Sequence, residues 1–402
     1  MKSKESIYPD ARIPYGCWGS SFFPAWQMSA LAEINIGQFA GEAMSKILSK
    51  RNVPQNKLNY LITGSTIPWH WKFWNSPFLS SCSGNRLPGY HVEQACATGL
   101  KSVLLAGAEV QSGMGDVIGV LTFDRTSDSP VGVFPERRSY ERTIALGDVW
   151  DNFGFDPATG NAMLTTAGLA ARKHKIDRVE VDELTFYRYK QYFNSLESGF
   201  LDKVLIPLEV LNLQGKSLGI VDSDAGVRKL TLDGLRSMRE LDTCVTAGTQ
   251  THASDGMATM LVTGKNKAKE ISSRPEIDIQ FIGKAEIRAL PSLMPEAPAL
   301  AVRKLLEQTG LTMNDILVVK NHNPFAVNDA IFAKEFNYDW KKMNNTGCPL
   351  VWGHPQGPTL TRVLMEALEE AVDKGGGYVL IFGCAAGDIG ISALFKVTEG
   401  GK

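Results

Sequence analysis

The sequence lacks several features that would point to particular classes of protein. Its 42 Lys and Arg residues balance 43 Asp and Glu residues, so no excess of basic charge indicates nucleic acid or an anionic membrane as a partner. The six cysteines form no Cys-x-x-Cys pair and no zinc-binding spacing, which favours reduced thiols over a disulfide framework or a metal site. No apolar run is long enough to span a bilayer, and the N-terminal residues lead into no apolar stretch typical of a secretory signal. We therefore expect a cytoplasmic protein with no membrane partner.

The chain does contain an alternation of helical and strand-like segments. Residues 97–112 have a helical pattern and precede a strand-like segment at 116–121. Residues 359–374 have the same pattern before a strand-like segment at 378–382, roughly 260 residues later. The repetition predicts a duplicated α/β unit with a site between its halves, although helix–glycine–strand units are common in α/β proteins.

Two thiols and a histidine lie at the edges of these repeated segments. Cys96 stands in Glu-Gln-Ala-Cys-Ala-Thr-Gly at 93–99, immediately before the first helical pattern. A helix start favours a thiolate, which is a strong nucleophile. His354 stands in Gly-His-Pro, and Cys384 follows an apolar strand in a turn of small residues. These groups are the ones needed to make or break a carbon–carbon bond next to a thioester.

Five blocks in this order resemble the motifs of the thiolase family, and the resemblance covers nearly the whole chain. The blocks are residues 93–99, 196–207, 228–256, 353–357 and 384–387. The resemblance implies an α/β thiolase fold, in which two similar βαβαβαββ halves form a five-layer α/β/α/β/α core with an inserted loop domain. The implied domains are the N-terminal half at 1–121 and 246–270, the loop domain at 122–245 and the C-terminal half at 271–402.

The resemblance also implies the reaction, thiolytic cleavage of a 3-oxoacyl-CoA or the reverse condensation. Cys96 would attack the keto carbon and carry the acyl group, and Cys384 would act as general acid and base. His354 and His322 would stabilise the enolate oxygen of the thioester, and His354 would also support the Cys96 thiolate. The peptide N–H groups of Cys96 and Ala386 would stabilise a second oxyanion. A structural role is the alternative for Cys96, Cys384 and His322.

By motif position, five further residues are candidates for contact with CoA. Arg228 would meet its adenine or phosphate end, and Thr251 takes the place of a serine that contacts the pantetheine. Met163, Ala253 and Phe325 would line the tunnel, although each could equally be ordinary packing. The family needs no bound metal or redox cofactor, and both CoA and acyl-CoA are substrates.

The chain departs from the commonest family pattern at three places. Residues 322–325 read His-Asn-Pro-Phe where many members have Asn-Glu-Ala-Phe, and Ala386 stands where a second glycine is usual. Residues 122–146 do not match the usual tetramer-forming loops. In its histidine block, its missing tetramer loop and its aromatic content, the chain resembles thiolases that work with a small zinc-ribbon/OB-fold companion subunit, such as the benzoylsuccinyl-CoA thiolases of anaerobic toluene breakdown.

An aromatic cluster precedes the nucleophile segment and includes Trp69, Trp71 and Trp74. It is a candidate for an aromatic acyl pocket or a partner surface. The interpretation we favour is a structural one, in which the cluster fills the interface of a homodimer.

Two other functions remain open at the level of sequence. A decarboxylating ketoacyl-synthase-like enzyme also uses one cysteine and two histidines, but it does not need Cys384. A non-catalytic subunit that binds acyl-CoA or lipid would retain the motifs without turnover.

Overall fold

The computed structural model of the chain describes residues 5–127, 130–138, 141–147 and 150–400. Within these ranges the strands are Ala11–Arg12 (β1), Trp18–Ser20 (β2), Tyr60–Gly64 (β3), Gly89–Val92 (β4), Val117–Arg125 (β5), Gly132–Arg138 (β6), Glu141–Gly147 (β7), Leu208–Leu211 (β8), Ser217–Val221 (β9), Glu240–Asp242 (β10), Val245–Thr246 (β11), Asp255–Gly264 (β12), Ile277–Arg288 (β13), Ile316–His322 (β14), Gly377–Ala385 (β15) and Ile389–Glu399 (β16).

The helices alternate with these strands over most of the chain. Those in the described ranges are Ile36–Lys50 (α1), Asn75–Cys82 (α2), Thr98–Ser112 (α3), Asp151–Gly154 (α4), Met163–His174 (α5), Arg178–Glu197 (α6), Leu232–Arg236 (α7), Lys265–Ile271 (α8), Ala297–Thr309 (α9), Ala326–Phe336 (α10), Pro349–Trp352 (α11) and Thr359–Asp373 (α12). None of these helices combines the length and the apolar character that crossing a bilayer requires.

One large mixed sheet organises the molecule, in the order β14-β15-β16-β13-β1-β12-β5-β3-β4. The two-residue strand β1 pairs with both β12 and β13, and it therefore joins two groups of strands. In one group β3 runs parallel to β4 and β5, and in the other β14 runs parallel to β15. Each group thus contains a parallel pair whose carboxyl ends lie at one edge of the sheet.

The predicted repetition is present in the structure as the unit α3–β5 and the unit α12–β15. Helices α3 and α12 contact each other, and α12 is buried at nearly every position. Their close approach requires a glycine, because a Cβ at Gly99 would lie 2.6 Å from Thr361 Oγ1. The helices that begin next to Cys96 and His354 are therefore packed together at their N-terminal ends.

Candidate active site

Cys96 lies in a tight turn between β4 and α3. Residues Ala95–Ala97 form a single 3-10 turn, and α3 begins at Thr98. Ala95 has a φ of 44°, a conformation that costs energy for a residue with a side chain. The hydroxyl of Thr98 supports the turn, because it donates to Ala95 O at 2.7 Å and accepts from Gln94 N at 2.8 Å. The turn presents the half-buried Cys96 thiol just ahead of the helix.

His354 reaches this thiol from the other half of the molecule. Its Nε2 lies 3.1 Å from Cys96 Sγ, and its Nδ1 lies 2.7 Å from Thr359 Oγ1 in the first turn of α12. The peptide N–H of His354 donates to His252 O at 2.9 Å, which fixes the backbone of the turn. If the Thr359 hydroxyl accepts from Nδ1–H, then Nε2 is free to accept the proton of the thiol.

His322 and Cys384 are at the carboxyl ends of the neighbouring parallel strands β14 and β15, where His322 pairs with Gly383. Both side chains are fully buried. The His322 ring packs against the His354 ring with centroids 4.1 Å apart. Neither His322 ring nitrogen has a hydrogen-bond partner among the described residues. A buried polar atom without a partner is costly, so this arrangement is typical of a site that binds a polar group.

The electrostatics of the site favour uncharged groups. Burial raises the pKa of the Cys96 thiol to about 12, although the peptide N–H groups of Cys96 and Ala386 oppose that shift. Burial lowers the pKa of His354 to about 3 and holds the pKa of His322 well below its usual value. Burial, and then the nearby Cys96, raises the pKa of Cys384 well above its ordinary range. The helix start predicts a thiolate at Cys96, but burial outweighs this effect and favours a neutral thiol.

A cavity of about 610 Å³ opens at Cys96. Cys96, His354 and Ala386 line one part of it. Four of the five residues predicted to contact CoA also line it, namely Met163, Thr251, Ala253 and Phe325. The fifth, Arg228, is exposed and is not part of the lining. The Thr251 hydroxyl donates to Pro349 O at 2.6 Å, so its own proton is already engaged.

Asp124, near the end of β5, is a residue of the site that the sequence reasoning missed. Its buried carboxylate accepts from the peptide N–H groups of Thr66 and Ile67 at 2.9 Å and of Gly357 at 2.7 Å, and from the Thr66 hydroxyl at 2.9 Å. Burial raises the pKa of Asp124 to about 7 against these donors. The contacts tie two segments of the cavity wall together. A carboxylate at the end of an apolar strand was the available signal.

Two polar residues of α10 support the C-terminal part of the site, and the sequence reasoning missed both. Asn328 Nδ2 lies 3.7 Å from Cys384 Sγ and 3.3 Å from Pro295 O. Asp329 accepts from the side-chain amides of Asn321 at 2.8 Å and Asn323 at 2.9 Å, the two neighbours of His322. Asp329 also pairs with the fully buried Arg188 at 2.8 Å. These contacts hold the end of β14, and with it His322, in one orientation.

Comparison with known proteins gives consistent results over the whole chain. The model of the thiolase N-terminal domain matches residues 23–266, and that of the thiolase C-terminal domain matches residues 278–397. A probable acetyl-CoA acyltransferase of Staphylococcus epidermidis is 25% identical over 401 residues, which cover 96% of this chain and 97% of the relative. An acetyl-CoA acetyltransferase of Synechocystis sp. is 26% identical over 371 residues, which cover 89% of this chain and 90% of the relative.

Two solved structures share the fold. The crystal structure of the Bacillus anthracis acetyl-CoA acetyltransferase has a TM-score of 0.87 at 21% identity, with 98% of this chain and 100% of that chain covered. The crystal structure of human mitochondrial 3-ketoacyl-CoA thiolase has the same TM-score and identity, with 97% and 99% covered. These likenesses confirm the predicted thiolase fold. Because the two family models together match most of the sequence, the chain belongs to the thiolase family.

Proposed function

We propose that the protein cleaves a 3-oxoacyl-CoA with free CoA, or carries out the reverse Claisen condensation, through an acyl thioester on Cys96. Membership of the family makes the chain an acyltransferase for which CoA is a substrate. The observation that carries the proposal is the 3.1 Å contact between Cys96 Sγ and His354 Nε2 on the wall of the cavity. A thiol within hydrogen-bond distance of a neutral imidazole is the pair that a cysteine nucleophile needs.

In the cleavage direction, Cys96 Sγ attacks the keto carbon while its proton passes to His354 Nε2. The bond between the keto carbon and the α-carbon breaks, which leaves the acyl group on Cys96 and a thioester enolate. Cys384 donates its proton to the enolate carbon. The thiol of CoA then attacks the acyl group and gives its proton to the Cys384 thiolate, and the released Cys96 sulfur recovers the proton from His354. The cycle returns both cysteines to their neutral forms.

The surroundings of each group support its role. The raised pKa of Cys384 keeps the proton on its sulfur until a strongly basic enolate carbon is present. The unpartnered His322 ring is suited to donate to the enolate oxygen, which would provide its missing hydrogen bond. The peptide N–H groups of Cys96 and Ala386 both act on the Cys96 sulfur, so they are positioned to stabilise an oxyanion on a carbon bound there.

A cleavage screen with aliphatic and aromatic 3-oxoacyl-CoAs tests the reaction. Cys96→Ser and Cys384→Ser should each lower thiolysis by about 10²-fold or more, and the half-buried Cys82→Ser is the matched control. Mass spectrometry should detect an acyl adduct on Cys96 of the wild-type chain. Unchanged turnover in Cys384→Ser would favour a ketoacyl-synthase-like enzyme. Absence of an adduct on Cys96 would favour a non-catalytic subunit that binds acyl-CoA.

We further propose a bulky aromatic acyl group, as in benzoylsuccinyl-CoA. The support is the aromatic lining of the cavity, to which Trp150, Phe153, Phe155 and Phe325 contribute. Phe153→Ala should lower kcat/KM for an aromatic substrate more than for acetoacetyl-CoA. Phe186→Ala is the matched control, because Phe186 is half-buried on α6, outside the lining and away from the aromatic cluster at 69–74. An equal loss for both substrates, or none, would contradict the aromatic preference.

The assembly is also a proposal. Trp69 is buried, but Trp71, Phe73 and Trp74 are exposed, and β4 beside them ends the sheet. An exposed aromatic surface next to a sheet edge is suited to an interface, and we propose that it belongs to a homodimer. Light scattering of Phe73→Ser should detect a monomer, whereas an unchanged dimer would place the interface elsewhere. A small zinc-ribbon/OB-fold companion subunit remains part of the proposal, supported by the His-Asn-Pro-Phe block at 322–325.

A further inference from the structure

Three side chains that can bind a metal ion converge at one point of the molecule. Cys96 Sγ, one ring nitrogen of His322 and one of His354 all lie within 4.8 Å of one another. They come from the start of α3, the end of β14 and the turn before α12. Spacing along the sequence predicts no metal site here, because the three segments are far apart in the chain.

The separations of the three side chains are within reach of a tetrahedral zinc ion. Bonds from Zn²⁺ of about 2.3 Å to sulfur and about 2.0 Å to nitrogen place neighbouring tetrahedral ligands about 3.3 to 3.6 Å apart. Cys96 Sγ and His354 Nε2 lie 3.1 Å apart, slightly closer than this, and the His322 and His354 rings, with centroids 4.1 Å apart, would have to separate for both to bind one ion. Thiolate and imidazole ligands favour Zn²⁺ over Mg²⁺ or Ca²⁺, which prefer oxygen.

The state of the two histidines supports the same site independently of the distances. His322 is fully buried and neither ring nitrogen has a partner among the described residues, so a bound cation would provide one. His354 Nδ1 is held by Thr359 Oγ1 at 2.7 Å, which leaves Nε2 directed at the site. Metal-binding histidines are commonly oriented in this way, through a hydrogen bond from the second nitrogen.

We propose that Cys96, His322 and His354 form a zinc site, with the fourth coordination position open to the cavity. Binding replaces the proton of Cys96 with the metal ion, so one proton passes to solvent for each ion bound. Coordination lowers the nucleophilicity of the Cys96 sulfur and occupies both His354, its proton acceptor, and His322, so zinc competes with acylation. Binding itself rests on the geometry alone, whereas inhibition rests on the proposed function.

Titration calorimetry of the full chain with Zn²⁺ tests the site. We expect one ion per chain and release of one proton, measured by repeating the titration in buffers of different ionisation enthalpy. Cys96→Ser and His322→Asn should each bind at least about tenfold more weakly. The matched controls are Cys82→Ser and His70→Asn, which change the same residue types outside the site and should bind as the wild type does. Circular dichroism verifies that each variant is folded.

Cobalt provides a second measurement that does not depend on activity. Co²⁺ in the wild-type chain should produce a thiolate-to-cobalt charge-transfer band, and Cys96→Ser should lose it. Zinc affinity that is equal in wild type and His322→Asn would overturn the site, as would the absence of stoichiometric binding. Tight binding without thiolase activity would refute the proposed function and leave the site intact. Undiminished turnover at saturating zinc would refute the competition with acylation.

Discussion

Replacement of Asp124 should weaken both the fold and the active site. Its carboxylate is buried and accepts four hydrogen bonds, from the peptide N–H groups of Thr66, Ile67 and Gly357 and from the Thr66 hydroxyl. These donors belong to two segments that line or adjoin the cavity. Asp124→Ala removes every acceptor, whereas Asp124→Asn keeps one oxygen.

The expected magnitudes follow from the donors left unpaired. Each buried N–H without an acceptor costs about 1 to 3 kcal/mol, so Asp124→Ala, with three such groups, should lose about 3 to 9 kcal/mol of unfolding free energy. In Asp124→Asn, one oxygen becomes an amide nitrogen. If it replaces Oδ2, the hydroxyl of Thr66 can accept from it, but the N–H of Gly357 cannot. This variant should therefore lose about 1 to 3 kcal/mol.

Urea unfolding followed by circular dichroism measures both losses, and kcat/KM for thiolysis measures the effect on the site. The predicted order of stability is wild type, then Asp124→Asn, then Asp124→Ala, with kcat/KM falling in the same order. Equal stability of the alanine variant and wild type would refute the reasoning. Stability lost in the predicted order without any change in kcat/KM would show that the two segments keep their positions without Asp124.

Three shorter predictions concern the same region. His354→Ala should slow alkylation of Cys96 by iodoacetamide at neutral pH by about 10²-fold, because the thiol loses its proton acceptor. Mass spectrometry measures the rate, with Cys82 as the internal reference. Alkylation of Cys96 at the same rate as in the wild type would contradict this prediction. Asp329→Asn should lower the unfolding free energy by about 3 to 5 kcal/mol, because the buried Arg188 loses its counter-charge. Urea unfolding measures this loss, and a value under about 1 kcal/mol would contradict the prediction. Because burial raises the pKa of Asp124 to about 7, the folded chain keeps this proton between about pH 4 and pH 7 while the unfolded chain releases it. Wild type should therefore lose stability relative to Asp124→Asn as pH rises through this window, and a difference independent of pH would contradict the shift.

The regular elements could be predicted from sequence where their pattern is strong. The helices predicted at 97–112 and 359–374 are α3 and α12, and the strands predicted at 116–121 and 378–382 overlap β5 and β15, which both extend further at their carboxyl ends. Helix α10 was missed, because most of its residues are buried and its sequence has no polar face. The pairing of the short β1 with strands of both groups could not be predicted either, because a strand of two residues is too short to show the alternating pattern of a β-strand.

In the candidate site too, some residues could be predicted from sequence motifs and others could not. Cys96, His354 and Cys384 stand in distinctive motifs, and the structure brings the first two within 3.1 Å. Asp124, Asn328 and Asp329 could not be assigned, because each acts through hydrogen bonds to segments that become neighbours only in the folded chain. The protonation state of Cys96 was also beyond the sequence, since a helix start indicates a thiolate and only the degree of burial reverses that expectation.

A neutral resting site has a chemical consequence. Charges are costly in a cavity of low dielectric, so a free thiolate on Cys96 would be unstable until a partner for the charge arrives. The bound substrate supplies that partner, because the negative charge moves onto its oxygen as the carbon–sulfur bond forms. The peptide N–H groups of Cys96 and Ala386 stabilise that oxygen, and the His322 ring, which has no hydrogen-bond partner among the described residues, gains the contact it lacks when the enolate oxygen forms in the next step. Binding energy that appears only when the oxyanion forms lowers the barrier and not merely KM. The burial that raises the pKa of Cys96 is therefore compatible with catalysis, and it restricts activation of the thiol to the moment when substrate is in place.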